Sequence, residues 1–134
     1  MHDATTWDLA GIPLFDDLEP DDLAAIAPWF EIQETSPGVS LTGEGAAGYS
    51  FFILSDGTAS VTVDGVEVNT LGPGDFFGEL AILGDGVRTA TVTTTSPSRL
   101  LVLFGTEFRR LQQEHPELAG QIEAGVRARL QPAA

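Results

Sequence analysis

The stretch Gly74–Val92, GDFFGELAILGDGVRTATV, decides how the chain is read. Phe76 and Phe77 read as barrel-wall residues, Gly78 as a turn, and roughly Glu79 to Leu83 as a short helix closed by Gly84-Asp85-Gly86, since glycine enters the backbone conformations such turns need without steric cost. The first turn of a helix leaves N–H groups unpaired, and their dipoles favour an anion there. A phosphate beside Gly78, Leu80 and Ala81 would satisfy them. Arg88, returning nine positions after Glu79, offers a planar fork for two phosphate oxygens. Glu79 is itself anionic and suits a hydroxyl, such as a ribose 2′-OH. A plainer reading stands beside this one on spacing alone: Glu79 complements a helix dipole, and Arg88 makes a surface ion pair worth ~0–1 kcal/mol.

That guanidinium stands out because of the charge around it. The 134 residues carry 20 Asp and Glu against 6 Arg and no Lys, a net charge of −14. Such a field opposes nucleic acid and anionic lipid, whose binding needs clustered cations; direct nucleic-acid binding and membrane association are not expected. The longest apolar runs, such as Leu100–Phe104, are far too short to cross a bilayer. Met1–Trp7 has no signal-peptide pattern. The chain has no cysteine, which excludes disulfides and thiolate chemistry and suits the cytoplasm.

The length and the 43% hydrophobic content predict a single domain over 1–134. A helix lies within Leu14–Phe30, with Pro20 at its first position, Asp21 and Asp22 at its positive end and Pro28 closing it. Strands are predicted near Phe30–Glu34, Val39–Leu41, Ser50–Leu54, Ala59–Val63, Val66–Leu71, Thr91–Thr94 and Arg99–Phe104. Asp64-Gly65 reads as a two-residue hairpin turn. After Gly105 the pattern turns helical, His115-Pro116 divides two helices, and Leu118, Ile122, Val126 and Leu130 form an apolar stripe on the second. The fold expected is mainly β with flanking α: a jelly-roll, cupin-like β-barrel over about 30–104, an N-terminal helix, and C-terminal helices over about 106–131.

Phe77-Gly78-Glu79-Leu80-Ala81 followed by Arg88-Thr89-Ala90-Thr91-Val92 resembles the phosphate-binding cassette of cyclic nucleotide-binding domains, found in bacterial catabolite-activator-type regulators, cyclic-nucleotide-dependent kinases and gated channels. Leu14-Phe15, Pro37-Gly38, Gly43-Glu44-Gly45, Gly57 and Gly72-Pro73-Gly74-Asp75 extend the likeness over nearly the whole chain. The resemblance implies that Glu79 binds the ribose 2′-OH, Arg88 the cyclic phosphate, and the backbone of Gly78, Leu80, Ala81 and Ala90 the remaining phosphate oxygens. Thr89 permits cGMP without excluding cAMP, and cAMP is put first. Val61 lines the base pocket by position, with a plain core role beside it. Two features depart from the family. Val87 stands where the family often has Pro, and no aromatic residue follows Phe108 to stack on the base. A lid would come from Val126, Arg127 or Leu130, or from a partner subunit.

An enzyme on a similar barrel would hold a metal through several histidines. The chain has only His2 and His115, read as a loose terminus and a helix junction, so neither catalysis nor a metal or cofactor is expected. A catabolite-activator-type regulator would need a helix-turn-helix beyond the last helix. A barrel that has lost its ligand is the remaining alternative, opposed by the retention of Glu79 and Arg88, since a buried charge pair is costly to keep. The expected function is a cyclic nucleotide sensor, or a fragment of a larger cyclic-nucleotide-regulated protein. It would relay binding past a hinge at Phe104-Gly105-Thr106 to a protein partner or a second subunit.

Overall fold

The computed structural model describes residues 2–42, 50–78 and 90–129. Two antiparallel sheets carry the fold. β1 (His2–Asp3), β2 (Glu31–Thr35), β4 (Ser50–Asp56), β7 (Phe76–Phe77) and β9 (Ser98–Phe104) form one sheet, in the order β1-β2-β9-β4-β7. β3 (Ser40–Thr42), β5 (Ala59–Val63), β6 (Val66–Leu71) and β8 (Thr91–Thr94) form the other, ordered β3-β8-β5-β6. The arrangement is jelly-roll-like, as expected, with the strands in two facing sheets that do not close into one barrel. Strand spacing reports how many strands there are, whereas closure depends on which edges pair.

The central strands explain the layering. In β4, Phe51 and Ile53 face a helical layer while Phe52 and Leu54 face the second sheet. Leu101 and Leu103 of β9 join the first group, Leu100 and Val102 the second. Alternate residues of a strand point to opposite faces, so a strand covered on both sides reads as an unbroken apolar run, which is what FFIL and LLVL are. The inter-sheet core is completed by Ala59, Phe77 and Val92, with Leu41, Val61, Leu71 and Phe104 at its margin. In the β5–β6 hairpin both Asp64 (φ 52°) and Gly65 (φ 78°) are left-handed, the conformation a two-residue turn of this kind requires.

The helical layer comprises α1 (Thr6–Leu9), a 3₁₀ turn at Pro13–Phe15, α2 (Pro20–Ile26), a 3₁₀ turn at Ala27–Trp29, α3 (Gly105–Glu114) and α4 (Pro116–Arg129). Pro20 starts α2 as expected, and the 3₁₀ turn containing Pro28 follows its end. The N-terminal segment departs from the expected loose terminus. His2 pairs with Ile32 and Asp3 with Glu31, the Ala4 N–H bonds Phe30 O at 2.8 Å, and Asp8 forms an ion pair with Arg99 at 3.2 Å. All four partners lie far along the chain, which is why local pattern did not reveal them.

Candidate functional site

The framework of the site begins at the turn before β7. Gly72 N–H bonds Asp75 Oδ2 at 2.8 Å, and Asp75 N–H bonds Gly72 O at 3.1 Å. The Gly74 N–H reaches Leu54 O at 2.7 Å, and the Leu54 N–H reaches Asp75 O at 2.8 Å. β7 then pairs with β4, Phe76 opposite Ile53 and Phe77 opposite Phe52. The Phe52 and Phe77 rings are stacked, 4.9 Å between centroids and 9° between planes. Phe77 is therefore a wall residue within the inter-sheet core, as expected of it, and its ring fixes the strand end that delivers Gly78.

Gly78 is buried with φ 76°. A side chain would be strained in that conformation, so the residue permits the chain to leave the sheet here. The chain returns at Ala90, half-buried, and enters β8 in the middle of the opposite sheet. Thr91 pairs with Thr62 and Val92 with Val61, and the Thr62 hydroxyl lies 3.5 Å from Thr91 O. Val61 is half-buried against the inter-sheet core. Of the predicted site residues, Val61 lies on β5 opposite Val92 and Ala90 immediately precedes the strand β8 that pairs with β5, while Phe77 and Gly78 mark the departure from the facing sheet. Glu79, Leu80, Ala81, Arg88 and Thr89 lie outside the described residues, as do Gly43-Glu44-Gly45.

The C-terminal helices follow without a linker, since β9 ends at Phe104 and α3 begins at Gly105. Among the expected lid residues, Val126 is fully buried in the helical layer with Ala119 and Ile122. Arg127 is exposed and pairs with Glu123 at 3.6 Å. Leu130 lies outside the described residues. The described part of the α4 stripe, Leu118, Ile122 and Val126, is thus packed in the helical layer, and the helix also meets Leu14, where a Cβ on Gly125 would lie 3.2 Å from Cδ1.

The model of the cyclic nucleotide-binding domain family matches residues 32–115, from β2 through both sheets to the end of α3. The chain belongs to the cyclic nucleotide-binding domain family. A cAMP-dependent protein kinase regulatory subunit of Colletotrichum orbiculare is 38% identical over 105 residues, covering 77% of this chain and 27% of that protein. A cGMP-dependent protein kinase, isozyme 1, of Drosophila melanogaster is 35% identical over 111 residues, covering 77% of this chain and 14% of that protein. The solved structure of cAMP-bound PfPKA-R superposes with a TM-score of 0.78 at 28% identity, over 92% of this chain and 42% of that one. This domain therefore spans only a fraction of the length of the relatives it matches.

Proposed function

We propose that this domain is a non-catalytic cyclic nucleotide sensor. It takes cAMP ahead of cGMP and passes the binding event through α3 and α4 to a protein partner or a second subunit. In this reading Arg88 holds the cyclic phosphate and Glu79 the ribose 2′-OH. Backbone amides of Gly78, Leu80, Ala81 and Ala90 take the remaining phosphate oxygens, and Val61 lines the base. The observation that carries it is the buried, left-handed Gly78 at a strand end clamped to β4, within a chain the family model matches over 32–115. Similarity to a cAMP-dependent kinase regulatory subunit and to a cAMP-bound structure supports cAMP. The net charge of −14 supports a small ligand over nucleic acid, and the absence of cysteine supports a cytoplasmic setting.

Ligand binding would draw the cassette and β8 together and shift the Phe104–Gly105 junction, moving α3 and α4. A ligand drives such a switch only by the difference in its affinity for the two states. Titration calorimetry with cAMP and cGMP tests the reading. Micromolar binding corresponds to about −8 kcal/mol, and Arg88→Leu should cost at least ~1.5–3 kcal/mol, as for a charged hydrogen bond. Equal heat traces for wild type and Arg88→Leu would rule the assignment out.

A further inference from the structure

Pro13 sits where three parts of the molecule meet. It opens the 3₁₀ turn Pro13–Phe15. Its carbonyl accepts a hydrogen bond from the Arg129 guanidinium at the end of α4. Its ring lies against Gly74, where an added Cβ would stand 3.3 Å from Pro13 Cδ and 3.7 Å from Cγ. On the far side of that contact, the turn is bonded to Leu54 of β4 through Gly74 and Asp75 and continues directly into β7 and Gly78. Two clefts adjoin the contact, one bordered by Asp75, Phe76 and Arg129, the other by Trp7, Ser55 and Arg99. Pro13, Pro73 and Gly74 line both.

We propose that Pro13 is a positioning residue for the nucleotide site. The docked end of α4 holds Pro13, Pro13 holds the Gly72–Asp75 turn, and the turn sets where β7 delivers Gly78. The physical case rests on stiffness. Proline has a fixed φ and a rigid ring, Gly74 has no side chain to cushion the contact, and β7 is only two residues long, so a shift of the turn reaches Gly78 directly. Close-packed contacts of this kind pass on small shifts instead of absorbing them. The inference rests on the functional reading above in naming the site, whereas the mechanical link can be measured without any ligand.

Amide hydrogen exchange on the nucleotide-free full chain, paired with cAMP titration, tests it. Pro13→Ala and Arg129→Leu should each speed exchange at the Gly74 and Leu54 amides and leave Leu101 and Leu103 protected. Each should also weaken cAMP binding by roughly threefold or more, the scale seen for residues that modulate coupling without touching ligand. Two substitutions on one path do not add, so the double variant should match Pro13→Ala alone. Multiplied effects in the double variant, or wild-type exchange over residues 72–77 in Arg129→Leu, would overturn the proposal. Arg129 lies at an exposed helix end, so that arm decides the matter even if Pro13→Ala fails to fold. A wild type that takes up no cyclic nucleotide would refute the functional reading, and the exchange result would still decide whether Pro13 holds the turn.

Discussion

Gly125 of α4 lies directly over Leu14: a Cβ built on it would stand 3.2 Å from Leu14 Cδ1 and 3.3 Å from Leu14 O. The helix seats this closely because the position lacks a side chain. Five residues earlier on the same helix, a Cβ on Gly120 would meet nothing within 4 Å. The pair gives an internal control. Gly120→Ala should stabilise the domain by up to ~1 kcal/mol through helix propensity and chain entropy. Gly125→Ala gains the same term but must displace Leu14, and overpacking costs ~1–3 kcal/mol, so its net effect should be destabilising. Urea unfolding of the two variants decides it; equal gains in both would show that α4 does not seat on Leu14.

Thr94 predicts a second vulnerability. It is 1% exposed on β8, its hydroxyl donates to Ser36 O at 2.7 Å, and it accepts from the Val39 N–H at 2.9 Å. Its backbone bonds Gly38 and Val39 as well, so one residue ties the Ser36–Val39 turn to the sheet. Thr94→Val keeps the shape and strand propensity but takes away the partner of the Val39 N–H and of the Ser36 carbonyl, at about 0.5–1.5 kcal/mol for each hydrogen bond. The loss should appear as a lower urea midpoint with an unchanged slope, whereas Thr93→Val, on the neighbouring half-buried position, should be nearly silent.

These two sites also show what could be read from the chain. Strands such as Ser50–Leu54 and Arg99–Phe104 were legible because consecutive apolar residues between turn signals leave few alternatives, and Asp64-Gly65 because its turn chemistry is local. α1 does carry a local signal, the capping box of Thr5 and Asp8. β1 and the 3₁₀ turn at Pro13 escaped, since elements of two or three residues are held by distant partners, β1 by Glu31 and Ile32 and Pro13 by Arg129. Closure of the sheets was illegible for the same reason. At the site, the roles of Phe77 as wall and Gly78 as turn were legible from type and spacing. That Val126 is buried in the helical layer was not, because an apolar stripe does not say which surface will cover it.

Thr89 predicts ligand selectivity under the proposed function. If Arg88 holds the phosphate as proposed, the Thr89 hydroxyl next to it in sequence would be placed, as the family resemblance implies, to meet the phosphate of either nucleotide and, in the syn conformer, the guanine amino group of cGMP. Thr89→Ala should therefore weaken cGMP more than cAMP, with the additional loss about 0.5–1.5 kcal/mol, the net value of one hydrogen bond. Calorimetry with both nucleotides on wild type and variant measures the difference. Equal losses for the two would remove Thr89 from base discrimination.

Val126 separates two ideas about α4. As a lid it would contact the base and be dispensable without ligand; as a core residue it would matter at all times. Its side chain is 0% exposed and packs in the layer with Phe15, Phe108 and Ile122. Val126→Ala removes two methyl groups' worth of burial and leaves a cavity, so the ligand-free domain should lose about 2 kcal/mol. The change should appear in urea unfolding with no nucleotide present. A variant of undiminished ligand-free stability but weaker cAMP binding would instead mean that α4 spends its time over the base.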